Sequence, residues 1–229
     1  MRKIIIFGTI MLIIVPISFS SHLVTGPTEA FGQGTCKVLM IPREGYSADL
    51  DLMIKMEVGV MTTLLKRAGF EVDIATTSGQ SILGPTQKIE KVLRLSEINS
   101  NDYEGIIMPC MAVGMFPGPP VSPEAVAVVK KAISDGKPVA AAANSSIILA
   151  EAGILKGKKY AYATDPLKTT QRYPRTDLRF EGAIYSGPGV VQDGQIITSG
   201  VCPNIERMNA MQSGTIELTQ KFNAAIGST

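Results

Sequence analysis

DGKPVAAAANSSIILAEAG, residues 135–153, decides the fold. Pro138 to Ala143 is an unbroken apolar run with no polar alternation, so it reads as a strand buried on both faces. The chain turns at once into a helix from about Ser145 to Ala152, which Gly153 stops. A doubly buried strand that feeds a helix is the unit of a parallel sheet. Upstream, Pro123 to Ser134 (PEAVAVVKKAIS) reads as a helix with proline in its first turn, and Gly105 to Met108 (GIIM) as another buried strand. Lys37 to Ile41 (KVLMI) is a third, followed by the loop Pro42 to Ser47. A long periodic stretch then ends at Gly69, with Ser47 as its expected N-cap and Asp49 and Asp51 in its first turn. Phe70 to Ala75 alternates as a strand. Val190 to Ser199 reads as a hairpin turning at Asp193-Gly194, and Thr215 to Ile226 as a closing helix. Strands alternating with helices imply right-handed crossovers and a mostly parallel sheet covered on both sides.

Composition agrees with one globular domain. Of 229 residues, 45% are hydrophobic and 18% charged, enough for a core that needs no metal or disulfide. The net charge of +2 has no basic run behind it, so nucleic acid is not an expected partner. The single histidine, His22, precedes the domain, which excludes Ser-His, Cys-His and His-metal chemistry within it. No cofactor or metal is expected.

The N-terminus reads as an address. Arg2 and Lys3 precede an apolar run from Ile4 to Ile17, and small residues stand at Ser18 and Ser20. Residues 1–20 therefore read as a secretory signal cleaved after Ser20, with an uncleaved membrane anchor as the alternative. Residues 21–35 form a Gly, Pro and Thr-containing tether, and residues 36–229 the domain. The expected location is outside the cytoplasm, and any membrane contact runs through the N-terminal segment alone.

In an open parallel sheet the ligand site lies beyond the carboxyl ends of the strands. Three segments gather there: Arg43 to Tyr46, Pro109 to Gly114 and Ala143 to Ser146.

Five segments in order, KVLMIP, LLKRAGFEVDIA, YEGIIMP, DGKPVAAAANSSIILAEAGILKGKKYA and VVQDGQIITS, resemble the ThiJ/PfpI family of the class I glutamine amidotransferase-like superfamily. The similarity spans about Cys36 to Ile226. It implies a flavodoxin-like three-layer α/β sandwich, usually a homodimer, with peptidase, glyoxalase, deglycase-type or chaperone-like activities in the family. It also implies a reactive cysteine on a tight turn after the fourth strand, a glutamate beside it from the first helix, and a P-G-G loop offering N–H groups to an oxyanion. On that alignment Glu57 matches the glutamate, and Ala143 stands at the cysteine position. Asn144 and Ser145 follow it, and the P-G-G loop reads Pro109-Cys110-Met111.

A methyl group cannot attack a carbonyl. The favoured reading is thus a non-catalytic module that binds a small molecule or a partner around Glu57, Cys110, Met111, Asn144 and Ser145. The alternative is a hydrolase or glyoxalase-like enzyme working through Cys110 as a displaced nucleophile. Each residue also has a plainer reading: Glu57 as a solvated helix residue, Cys110 and Cys202 as small core hydrophobes, Asn144 or Ser145 as a helix cap. Cys110 and Cys202 would bridge only if their loops lean over the Ala143 turn, and Cys36 belongs at the opposite end of the sheet. Met115 to Pro120 reads as a rim or a connector, and Lys168, Arg172, Arg175 and Arg179 as a solvated loop or an anion-binding lip.

Overall fold

The computed structural model describes residues 36–45, 49–111, 120–171 and 174–227. The expected signal and tether, the Ser47 cap, Arg172 and all of the Met115–Pro120 rim except Pro120 lie outside the described residues.

Eleven strands form among them. In chain order they are β1 (Lys37–Met40), β2 (Glu71–Thr76), β3 (Ile82–Leu83), β4 (Lys88–Ile89), β5 (Leu93–Arg94), β6 (Gly105–Met108), β7 (Val139–Ala142), β8 (Lys159–Tyr160), β9 (Ile184–Tyr185), β10 (Val190–Asp193) and β11 (Ile196–Ser199). The helices are α1 (Leu50–Met53), α2 (Gly59–Arg67), α3 (Pro123–Ser134), α4 (Ser146–Glu151), α5 (Pro203–Asn209) and α6 (Thr215–Ile226). Seven strands make the main sheet in the order β10-β11-β7-β6-β1-β2-β5. Every neighbouring pair in it is parallel except β10 with β11.

The strand pleat sorts the core into two layers, since successive side chains leave opposite faces. Leu39, Ile106, Met108, Val139 and Ala141 face α3 and α4 on one side. Val38, Met40, Ile107, Ala140 and Ala142 face α1, α2 and α6 on the other, around Leu65, Leu218 and Phe222. Such burial on both faces explains why β1, β6 and β7 read as unbroken apolar runs. The result is the expected three-layer α/β sandwich.

Three details depart from the sequence reading. The hairpin turns at Gly194-Gln195 rather than at Asp193-Gly194, because Asp193 is paired with Ile196 in the ladder; Gly194 takes the positive φ, +62°. Asp51 does lie in the first turn of its helix, but its carboxylate accepts from the Thr86 and Gln87 N–H groups and so anchors the β3–β4 turn. The long helix is not uniform either. Between α1 and α2 the chain makes one π-helical turn, Ile54–Val58.

Helix α3 is capped as its sequence indicates. The Ser122 side chain accepts from the Ala125 N–H at 3.2 Å, with Pro123 at the first helical position. Ser122→Ala is expected to destabilise the fold by about 1 kcal/mol, read as a lowered urea midpoint with an unchanged slope. An unshifted midpoint would show that solvent satisfies the helix end equally well.

Candidate functional site

Strand β7 ends in an elbow. Ala143 adopts φ +47°, a left-handed conformation that an alanine holds at a cost of about 1–2 kcal/mol, and residues 143–145 make a 3-10 turn into α4. Strain of this kind persists only where the surroundings impose it, and here they are a dense core: Ala142 and Ala143 are 0% and 1% exposed.

The π-helical turn supplies the acid. A single π turn shifts the register of the side chains that follow it, a device that recurs at functional sites. It carries Glu57, which is 2% exposed and accepts a hydrogen bond from the Cys110 N–H at 3.0 Å. Burial dominates its ionisation and pushes the carboxyl up to about 8, with the nearby Cys202 adding to the rise. The Cys110 N–H and the Arg43 guanidinium oppose the shift without cancelling it. Arg43 is itself anchored to Asp49 at 2.7 Å. At neutral pH Glu57 is therefore mostly a neutral acid, able to donate one hydrogen bond and accept others.

The loop after β6 folds back on the elbow. The Ser145 hydroxyl donates to the Pro109 carbonyl and accepts from the Met111 N–H at 3.1 Å. Ser145 does occupy the N-cap position of α4, but its side chain makes no cap bond because it is committed across the site. The N–H groups of Cys110 and Met111 thus have protein acceptors, Cys110 in Glu57 and Met111 in Ser145. The Met111 side chain packs into the core, so only its backbone faces the site. The Asn144 carboxamide oxygen accepts from the Tyr162 hydroxyl at 2.7 Å.

Two cysteines follow the strands on either side of the elbow strand. Cys110 follows β6 and is half-buried; Cys202 follows β11 and is fully buried. β6 and β11 flank β7, whose end carries the Ala143 turn. Interaction with Cys202, together with burial, holds the Cys110 thiol well above the usual range, while interaction with Cys110 draws Cys202 down to about 7. Cys202 makes no strict cap bond to α5, yet the Asn204 and Ile205 N–H groups also favour its thiolate. The Asn144 N–H faces the Cys110 sulfur. Cys36 is exposed at the start of β1, at the far end of the sheet.

The structure thus brings Glu57, Cys110, Asn144 and Ser145 together at the elbow, with Met111 contributing its N–H. Arg179 is paired with Asp177 at 2.6 Å and lies 3.7 Å from Glu151, and Lys168 pairs with Asp165. Sequence reasoning missed the Ser145 clamp and the Tyr162 contact, neither of which leaves a local signal. Among the described residues, no group of three or more His, Cys, Asp or Glu side chains is arranged to hold a metal ion.

The DJ-1/PfpI family model matches residues 37–211. A deglycase of Thermococcus kodakarensis is 30% identical over 165 residues, covering 71% of this chain and 89% of the deglycase. A deglycase of Pyrococcus horikoshii is 30% identical over 141 residues, 60% of this chain and 77% of its own length. Among solved structures, a ThiJ/PfpI domain protein from Brachyspira murdochii superposes with a TM-score of 0.60 at 14% identity, over 85% of this chain and 98% of its own. Drosophila melanogaster DJ-1beta gives 0.56 at 19% identity, over 85% and 92%. At those identities the two structures speak for the flavodoxin-like fold alone. The family match spans the elbow, the Glu57 turn and both cysteine loops, and on it the chain belongs to the DJ-1/PfpI family.

Proposed function

We propose that this chain is a non-hydrolytic member of its family, a module that binds a small molecule or a partner through the site around Glu57, Cys110, Asn144 and Ser145. The observation that supports the reading is the strained elbow at Ala143, a methyl-bearing residue at the position where the family resemblance leads one to expect the cysteine. The neighbouring loop supports it. Its Cys110 and Met111 N–H groups are occupied by Glu57 and Ser145, so these two are not free to stabilise an oxyanion, commonly the largest electrostatic contribution to acyl-transfer chemistry. The Cys110 thiol is held well above the usual range, which disfavours it as a displaced nucleophile. A neutral Glu57 suits a ligand carrying a carbonyl or hydroxyl acceptor.

The names of the relatives favour the second reading, an enzyme acting on glycated or dicarbonyl substrates through Cys110. Enzymes commonly accelerate reactions by at least ~10⁶-fold, about 8 kcal/mol of barrier, so the two readings are far apart in rate. The full chain, incubated with methylglyoxal and with its thiol adduct, is expected to match its Cys110→Ser variant and a buffer blank. Turnover that Cys110→Ser abolishes would replace the binding reading with the enzymatic one.

Export and a homodimeric state belong to the same proposal, motivated by residues 1–20 and by the family resemblance. Edman sequencing of the native protein is expected to begin near Ser21; a cytosolic product starting at Met1 would refute export.

A further inference from the structure

A cleft lies outside the elbow. Its volume is about 580 Å³, within the range of small-molecule sites, and it is lined by α1, the π-helical turn, the β3–β4 turn and α5. The π-helical turn sends its side chains two ways: Ile54, Glu57 and Val58 are buried, whereas Lys55 and Met56 are exposed and line the cleft. Leu52, one helical turn before Met56, continues the apolar strip. The β3–β4 wall is fixed in place. Asp51 accepts from the Thr86 hydroxyl at 2.6 Å as well as from the Thr86 and Gln87 N–H groups. Gly84 lets the turn lie against Asp51, because a Cβ there would collide with the carboxylate. Arg207 lines the cleft from the last turn of α5, which packs against α1.

The charges of the lining are unequally matched. Asp49 is held by Arg43 at 2.7 Å, and Asp51 by Thr86 and Gln87. The ion pairs among the described residues include neither Lys55 nor Arg207. Two cations without an ion-pair partner therefore border an apolar strip, and an anion with a hydrocarbon body complements both. We propose that this cleft is a ligand site separate from the elbow, which takes a small monocarboxylate with a short apolar body. Lys55 and Arg207 hold the carboxylate, and Leu52 and Met56 cover the body. The guanidinium fork of Arg207 matches a carboxylate bidentately, Lys55 adds a point charge, and the unbranched Met56 adapts to the shape of the body. The acids in the lining select the charge of the ligand. A phosphate monoester carries about −1.5 to −2 at neutral pH, so Asp49 and Asp51 repel it more strongly than a singly charged carboxylate.

The probe is hexanoate, with hexanol and hexyl phosphate as controls that keep the hydrocarbon body and change the head. The full chain, in low-salt buffer free of other carboxylates, is titrated with each and followed by backbone amide NMR. Expected is saturable binding of hexanoate with a dissociation constant of about 1 mM, ordinary for so few heavy atoms, and amide shifts at Leu52, Lys55, Met56, Gln87 and Arg207. Hexanol is expected to bind about tenfold more weakly, because it leaves both cations without a partner. Lys55→Gln and Arg207→Gln, both at exposed positions, are each expected to weaken hexanoate about fivefold, the upper end for an exposed ion pair, and added salt to weaken it further. No saturable binding, hexanol binding as tightly as hexanoate, hexyl phosphate binding more tightly, or shifts confined to the surroundings of Glu57 and Cys110 would each overturn the assignment. The cleft does not rest on the reading of the elbow. Turnover of methylglyoxal would sink that reading and leave this site standing, and a failure of hexanoate to bind would do the reverse.

Discussion

An Ala143→Cys variant is expected to alkylate with iodoacetamide at pH 6 about tenfold faster than an ordinary thiol. The introduced sulfur would sit in the left-handed turn where the chain enters α4, beside backbone N–H groups that favour an anion. A thiol of pKa near 6 is half ionised at pH 6, whereas a free thiol of pKa ~8.5 is about 0.3% ionised, a ratio of roughly 150. The lower basicity gives back about 15-fold in intrinsic nucleophilicity, which leaves the net factor near ten. Glu57 works in the same direction. Pushed up to about 8, it is protonated at pH 6 and can donate to a thiolate, where an ionised carboxylate would repel one. Because position 143 is only 1% exposed, a small uncharged reagent is the right probe, used under reducing conditions and read by peptide mapping against Cys36, Cys110 and Cys202. If residue 143 labels no faster than Cys36, the elbow does not activate a thiol, and the reading of it as a vacant nucleophile position fails.

The fold was legible wherever one physical signal dominated. Strands β1, β6 and β7 are buried on both faces and so appear as apolar runs; α3 and α6 have an amphipathic stripe, and their observed limits are the expected ones. What escaped depends on partners distant in sequence. The two-residue strands β3, β4, β5, β8 and β9 are too short to carry a period, and each exists only through its pairing. The hairpin shifted by one residue because the ladder, not the Asp-Gly dipeptide, sets the register. The site follows the same rule. Glu57 and Cys110 could be placed by alignment, but the π turn that aims Glu57 at the Cys110 N–H leaves no pattern in IKMEV. Ser145 looked like a cap because serine at a helix start usually is one, and only the folded loop offers its hydroxyl better partners in Pro109 and Met111.

The buried acid also makes the fold pH-sensitive in a definite direction. In the unfolded chain Glu57 ionises near 4.5, whereas in the fold it keeps its proton up to about 8. The stabilisation associated with that proton is fully present below pH 4.5 and is lost as pH rises through the folded value. At pH 7 the unfolded chain gains from ionising over roughly 2.5 units, at about 1.4 kcal/mol each, so the ceiling on the loss is ~3 kcal/mol. Glu57→Gln keeps an oxygen to accept from the Cys110 N–H and removes the ionisation. Its added N–H₂ needs acceptors in a buried site, which returns part of the gain. The variant is expected to match the parent near pH 4 and to exceed it by about 2 kcal/mol at pH 7, with a flatter profile between. Cys202 shifts in the opposite sense, and its contribution changes mainly above pH 7, so urea denaturation between pH 4 and 7 isolates Glu57. Parallel profiles for parent and variant would mean that Glu57 ionises in the fold as it does in the unfolded chain. A less stable Glu57→Gln at pH 7 would mean that the site is built around a carboxylate, and the neutral-acid ligand chemistry proposed for it would go with that result.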